Sequence, residues 1–165
     1  MNYLPQKLLF LGAGEPNGIL DSTILECCIQ KHIKIDFLFN EEETLKVLIN
    51  KSYDIFLLDF ELNGHKTFGI LRKLLKSRPF KNVILFADEK NKHLYSKAME
   101  VGACDFLIKQ ELDIEFLQRV IYYSFRHSQI LAELRESQSK YKDLVEHLPA
   151  MFYIAEIMPP YSQIY

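Results

Sequence analysis

The sequence predicts an α/β fold, a doubly wound parallel sheet of five strands with helices on both faces, and two observations carry that expectation. Short apolar runs alternate with stretches of helical spacing along most of the chain. The run Ile55-Phe56-Leu57-Leu58, four apolar residues in succession ending at Asp59, suits a strand buried on both faces, as central strands of parallel sheets are. Asp59 falls at the carboxyl end of that strand, where open α/β sheets bind their ligands. It is either a functional group at a crevice or a strand-terminating turn residue.

Taken in order, KLLFL at residues 7–11 forms a first strand, stopped by the Gly- and Pro-containing run GAGEPNG at 12–18. A helix follows, capped by Asp21 or Ser22, with Leu20, Ile24, Cys27 and Cys28 at helical spacing as far as Lys31. Residues 33–39 read as a second strand. Residues 41–50 read as a helix with Leu45, Leu48 and Ile49 on one face and the glutamates 41–43 at its positive end. After the third strand and a loop with Asn63-Gly64, residues 68–76 place Ile70, Leu71, Leu74 and Leu75 inward and Arg72, Lys73 and Lys76 outward, until Pro79 forbids continuation. Residues 83–87 form a fourth strand, 91–101 a helix closed by Gly102, and 104–108 a fifth strand that ends at Lys109.

Short links between such alternating elements demand right-handed crossovers, which put helices on both faces of the sheet. In the flavodoxin-like order 2-1-3-4-5, Asp59 and Lys109 face one crevice. The pair is then a structural ion pair, or a carboxylate that accepts a phosphoryl group beside an ammonium that neutralises the added charge.

The fifth helix starts near Glu111, and neither Gly nor Pro interrupts it before Pro149. A seven-residue repeat runs through it, with Leu117, Ser124, Leu131, Gln138 and Val145 on one position and Val120, His127, Leu134, Tyr141 and Leu148 on the other. Between residues 126 and 142 the composition turns polar and charged. This part either pairs with a copy of itself, a homodimer through residues 117–148, or stands as a single exposed linker helix.

At 165 residues the chain holds one domain of ordinary size with about forty residues over. A net charge of −2 and a pI of about 6.2 offer no electrostatic grip on nucleic acid or an anionic membrane. No stretch approaches the roughly 18 apolar residues of a membrane span, and the amino-terminal apolar run is too short for a signal peptide, so a cytoplasmic location is expected. Cys27, Cys28 and Cys104 lack metal-ligand spacing and suit a reducing compartment as buried small hydrophobes.

Several other chemistries find weak support or none. Gly12-Ala13-Gly14 is a weak match to a dinucleotide fingerprint, because Gly18 is one residue too far and Pro16 intervenes. There is no phosphate loop ending in Gly-Lys-Ser or Gly-Lys-Thr and no nucleophile elbow. His127 is followed by Ser128 rather than an acid, which favours a solvated linker histidine over a phosphorylated one. An aspartate-nucleophile phosphohydrolase would want a second Asp where Glu61 stands.

Together YDIFLLDFELNG (53–64), VILFADE (83–89) and MEVGACDFLIKQELD (99–113), followed by a long helix, resemble the receiver domain of two-component response regulators over residues 7–126. The resemblance implies that Asp59 is the phosphoacceptor, Lys109 the lysine that contacts the phosphoryl group, and Phe106 the aromatic that reports the switch. It makes the backbone carbonyl of Glu61 a ligand of Mg2+, and a histidine kinase or phosphotransfer protein the partner. Two acids normally follow the first strand to hold the metal, and Gly12 and Ala13 replace them, leaving Glu15 as the only acid of that loop. Phe86 stands for the usual Ser or Thr of the fourth strand, and Gln110 for a common Pro. Mg2+ wants an octahedron of oxygens with one or two carboxylates, so Asp59 alone would hold it weakly. Phosphoryl transfer rests on positioning and charge neutralisation, and both are reduced.

The segment LRESQSKYKDLVEHLPAMFYIAEI (134–157) is similar to the entry into PAS sensor domains, which need roughly a hundred residues. The expected organisation is a receiver domain at 1–126, a helical linker at 127–147 and the start of a PAS domain at 148–165. Three functions remain: a phosphorelay receiver using Asp59, a degenerate receiver acting as a phosphorylation-independent interaction and dimerisation module, and, ranked last, the phosphohydrolase.

Overall fold

The computed structural model describes residues 4–12, 19–50, 52–62, 65–77 and 82–147. Ala13, Gly14, Glu15, Asn63, Gly64, Pro79 and the segment from Leu148, expected as the start of a PAS domain, lie outside the described residues, as do the side chains of Leu45, Leu48 and Ile49.

The apolar runs become strands β1 (Lys7–Leu11), β2 (Lys34–Leu38), β3 (Ile55–Asp59), β6 (Asn82–Ala87) and β7 (Asp105–Ile108). Between β3 and β6 lies a two-stranded antiparallel ribbon, β4 (Glu61–Leu62) and β5 (His65–Lys66). The helices are α1 (Ile19–Gln30), α2 (Glu41–Asn50), α3 (Phe68–Ser77), α4 (Tyr95–Val101) and α5 (Ile114–His147), with 3-10 turns at Glu89–Leu94 and Lys109–Glu111. The large sheet is wholly parallel in the order β2-β1-β3-β6-β7. Among these five parallel strands the spatial order is the expected second, first, third, fourth, fifth; only the chain numbering departs from 2-1-3-4-5, because the ribbon, expected as loop, adds two strands to the count and forms a sheet of its own.

β3 and β6 are buried at every residue, as their unbroken apolar runs demand. Strand alternation divides the core in two. Phe56, Leu58, Leu85, Ala87 and Phe106 pack on one face with Leu71 and Leu74 of α3. Phe10, Leu57, Ile84 and Phe86 pack on the other with Ile24, Cys27 and Cys28 of α1 and Leu117 and Ile121 of α5. Burial pushes the Cys27 thiol up to about 11 and the Cys28 thiol up to about 12, so both stay protonated hydrophobes.

Three boundaries differ from expectation by more than one residue. α1 begins at Ile19, so Asp21 lies in its first turn rather than at its cap. The stretch 89–94 winds as a 3-10 helix before α4, which Gly102 closes at φ 112°, its amide donating to the carbonyls of Ala98 and Met99. α5 starts at Ile114 rather than near Glu111, because Asp113 Oδ1 accepts the amide of Phe116 at 2.7 Å and caps the helix there.

The chain forms two compact units, Met1–Gln129 and Ile130–Tyr165. In the first, Leu117, Val120 and Ile121 are buried in the unit's own core. They cannot join a seam with a second copy, so the expected dimer interface cannot begin at Leu117. In the second unit the described part is helix, on which Ile130, Leu134, Tyr141, Leu144 and Val145 are exposed. Its charges pair along the helix, Lys140 with Glu136 at 2.7 Å and Lys142 with Glu146 at 3.7 Å. Among the described residues no helix is long and apolar enough to cross a membrane.

Candidate functional site

β3, β6 and β7 lie side by side and all point their carboxyl ends the same way, so Asp59 and Lys109 meet across the end of β6. Lys109 Nζ donates to Asp59 Oδ2 at 2.7 Å. The other carboxylate oxygen accepts the Glu61 amide at 3.2 Å, and the Asp59 residue is 5% exposed. Burial pushes the Asp59 carboxyl up. The bond and charge of Lys109 and the Glu61 amide pull it down, while the neighbouring Asp88 carboxylate pushes it up again. Burial outweighs the pair, and the register partner of Asp59 on β6 is the fully buried Phe86.

Around this pair sit Thr67, Asp88 and Lys90, which the sequence did not single out, and Gln110, which it marked only as the replacement of a common Pro. The buried Thr67 hydroxyl lies 3.0 Å from the Asp59 carbonyl and 3.1 Å from that of Phe60, and holds the backbone that aims the carboxylate. Gln110 spans two loops: its Nε2 donates to Asp88 Oδ1 at 3.3 Å and its Oε1 accepts the Glu89 amide at 3.2 Å. Lys90 pairs with Glu61 at 3.2 Å. Asp88 carried one local signal, an acid directly after an apolar strand, as Asp59 does; Thr67 carried none.

The core face that holds Phe86 is aromatic. Phe10 meets Phe37 and Phe86 edge to face, with centroids 5.6 and 6.3 Å apart. Gly12 follows Leu11, whose register partner Leu58 precedes Asp59. A Cβ on Gly12 would come within 2.5 Å of Phe10 Cε1, so the ring fills the space into which an acid at position 12 would extend.

Phe86 corrects an expectation. It is fully buried on the face of Phe10 and Leu107, whereas Phe106 packs on the opposite face with Ala87. Strand alternation therefore gives Ala87, one residue later, the place beside Phe106. Neither residue carries a hydroxyl. Phe106 is 6% exposed, its ring 5.8 Å from Phe60 and 6.2 Å from Tyr95.

For Mg2+ the expected donors among the described residues are the Asp59 carboxylate and the Glu61 carbonyl. Both Asp59 oxygens already have partners, the Phe10 ring fills the space at Gly12 where a carboxylate is wanted, and no group of three His, Cys, Asp or Glu among the described residues could hold a metal ion. These residues do not fit an octahedral magnesium site.

Residues 19–121 match the family model of the response regulator receiver domain. Among solved structures, a response regulator receiver domain protein from Clostridium thermocellum is 21% identical, with 76% of this chain and 98% of that one covered at a TM-score of 0.66. A CheY-like receiver domain protein from Methanospirillum hungatei is 18% identical, with 75% and 96% covered at 0.64. The response regulator TrrA from Thermotoga maritima, in complex with Mg2+ and BeF, is 23% identical, with 72% and 98% covered at 0.60. At these identities the structural likeness is one of fold. No curated protein matches the chain. With the family model spanning most of the α/β unit, the chain belongs to the receiver-domain family of two-component response regulators.

Proposed function

We propose that this receiver serves phosphorelay signal transduction, with Asp59 as phosphoacceptor and Lys109 as the cation that neutralises the phosphoryl group. The observation that carries this reading is the 2.7 Å contact between Lys109 Nζ and Asp59 Oδ2 at the joint mouth of three strands. A carboxylate oxygen of Asp59 forms the new bond to phosphorus as the bond to the donor breaks. Lys109 stays within reach of the incoming charge. The donor is a histidine kinase or phosphotransfer protein, and Phe106, beside Ala87, reports the state of the site. Transfer is slow, because the carboxylates that would hold Mg2+ are absent at Gly12 and Ala13.

A second reading, a phosphorylation-independent interaction module, is favoured by the Phe10 ring against Gly12. Incubation with acetyl phosphate and Mg2+, followed by intact mass against Asp59→Asn, separates the two. A slow, Asp59-dependent phosphoryl adduct is expected; an unchanged mass would leave the second reading.

The organisation that accompanies this function is a receiver at 1–126, a helical linker at 127–147 and a PAS-like start at 148–165, in the cytoplasm of the cell. The exposed Ile130, Leu134, Tyr141, Leu144 and Val145 support pairing of the linker with a second copy. Light scattering of the full chain is expected to give a dimer, and of a chain ended at Gln129 a monomer.

A further inference from the structure

At the end of the sheet away from Asp59, one buried side chain ties strands to helix. Asn82 opens β6, is 5% exposed, and has a core position by register, since its partner on β3 is the fully buried Ile55. Its Nδ2 donates to Ser128 Oγ at 2.8 Å and to the Asp54 carbonyl at 3.3 Å, and its Oδ1 accepts the Cys104 thiol at 3.6 Å. Ser128 spends its own proton on the Phe125 carbonyl at 2.7 Å, which leaves its lone pairs for Asn82. Asp54 in turn accepts the amides of Gln6 and Lys7 through Oδ2, at 2.7 and 2.9 Å.

An amide in a core is a poor adhesive, because its bonds only replace those it made with water. What it adds is direction. The earlier turns of α5 are held chiefly by Leu117, Val120 and Ile121, apolar contacts that tolerate rotation and sliding, and the hydrogen bond from there to α1, Gln118 Nε2 donating to Gln30 Oε1 at 2.8 Å, is exposed to water. Ser128 stands in the last turn of the compact unit, which ends at Gln129, and its contact is a directed hydrogen bond.

We propose that Asn82 is a positioning residue for α5, a polar latch that sets the rotation of the helix's last docked turn and can release that turn without unfolding the sheet. It acts whether or not Asp59 accepts a phosphoryl group.

Residue-resolved amide hydrogen exchange of the full chain tests this with Asn82→Val, Ser128→Ala and Ser128→Thr. In the first two, exchange at residues 124–129 is expected to rise about tenfold while β1 and β3 keep their protection, as local opening requires. Ser128→Thr, which keeps the hydroxyl, is expected to match the wild type. Equal loss of protection in helix and strands would reduce Asn82 to a general stabiliser, and unchanged exchange at 124–129 would refute the latch. If Asn82→Val does not fold, the two Ser128 variants decide the matter alone.

Discussion

Phe10 lays its ring where a side chain at Gly12 would stand, with Cε1 2.5 Å and Cζ 2.8 Å from the Cβ that any other residue would bring. The missing acid and the aromatic ring are therefore one feature of the site. Gly12→Asp is expected to destabilise the fold by about 1–3 kcal/mol through overpacking. Adding Phe10→Leu should recover part of that loss, and Mg2+ binding by calorimetry should be stronger in the double variant than in either single one. Equal urea midpoints for Gly12→Asp and the wild type would show that the ring moves aside freely.

Burial raises the Asp59 carboxyl above its unfolded value, so the folded chain holds this proton more tightly than the unfolded chain does. The contribution of Asp59 is complete below the unfolded value and is lost as pH rises through the folded one. The urea midpoint of the wild type, taken relative to Asp59→Asn, is expected to decline as pH is raised from about 4. A relative midpoint that climbs over that range would mean that Lys109, not burial, dominates.

Lys109→Met leaves the Asp59 carboxylate buried with the Glu61 amide as its remaining hydrogen-bond donor. Removing one partner of a buried pair costs about 3 kcal/mol or more, because the other charge stays behind. Asp59→Asn in the Lys109→Met background should restore most of that stability. Additive losses in this double-mutant cycle would deny the coupling.

Phe86 and Ala87 are adjacent but face different cores, and substitution separates them. Phe86→Ser is expected to cost about 3–5 kcal/mol, by opening a cavity against Phe10. Ala87→Ser, beside Phe106, should cost about 1 kcal/mol. Denaturant melts of the two variants check the order. A mild Phe86→Ser would place that ring at the mouth of the site after all.

By itself the sequence determined the α/β class, the five main strands, and Asp59 and Lys109 at strand ends, because each of these is written in a local pattern. An apolar run ending in a charge is visible within about six residues. It also showed that Gly12 and Ala13 supply no carboxylate. The tertiary structure decided which residues share a space. Leu117 and Val120 fit a seven-residue repeat as well as an amphipathic face, and only packing against α1 and the sheet shows that the domain's own core uses them. Phe86 and Ala87 differ by one position, and one position on a strand reverses the face, so the pairing of Leu85 with Phe106 was needed to place Ala87 beside Phe106. The Thr67 bonds and the Asn82 latch join residues 7 to 46 apart in sequence through the fold. Periodicity does not record such contacts, because it reports which face of an element is apolar and not which partner that face meets.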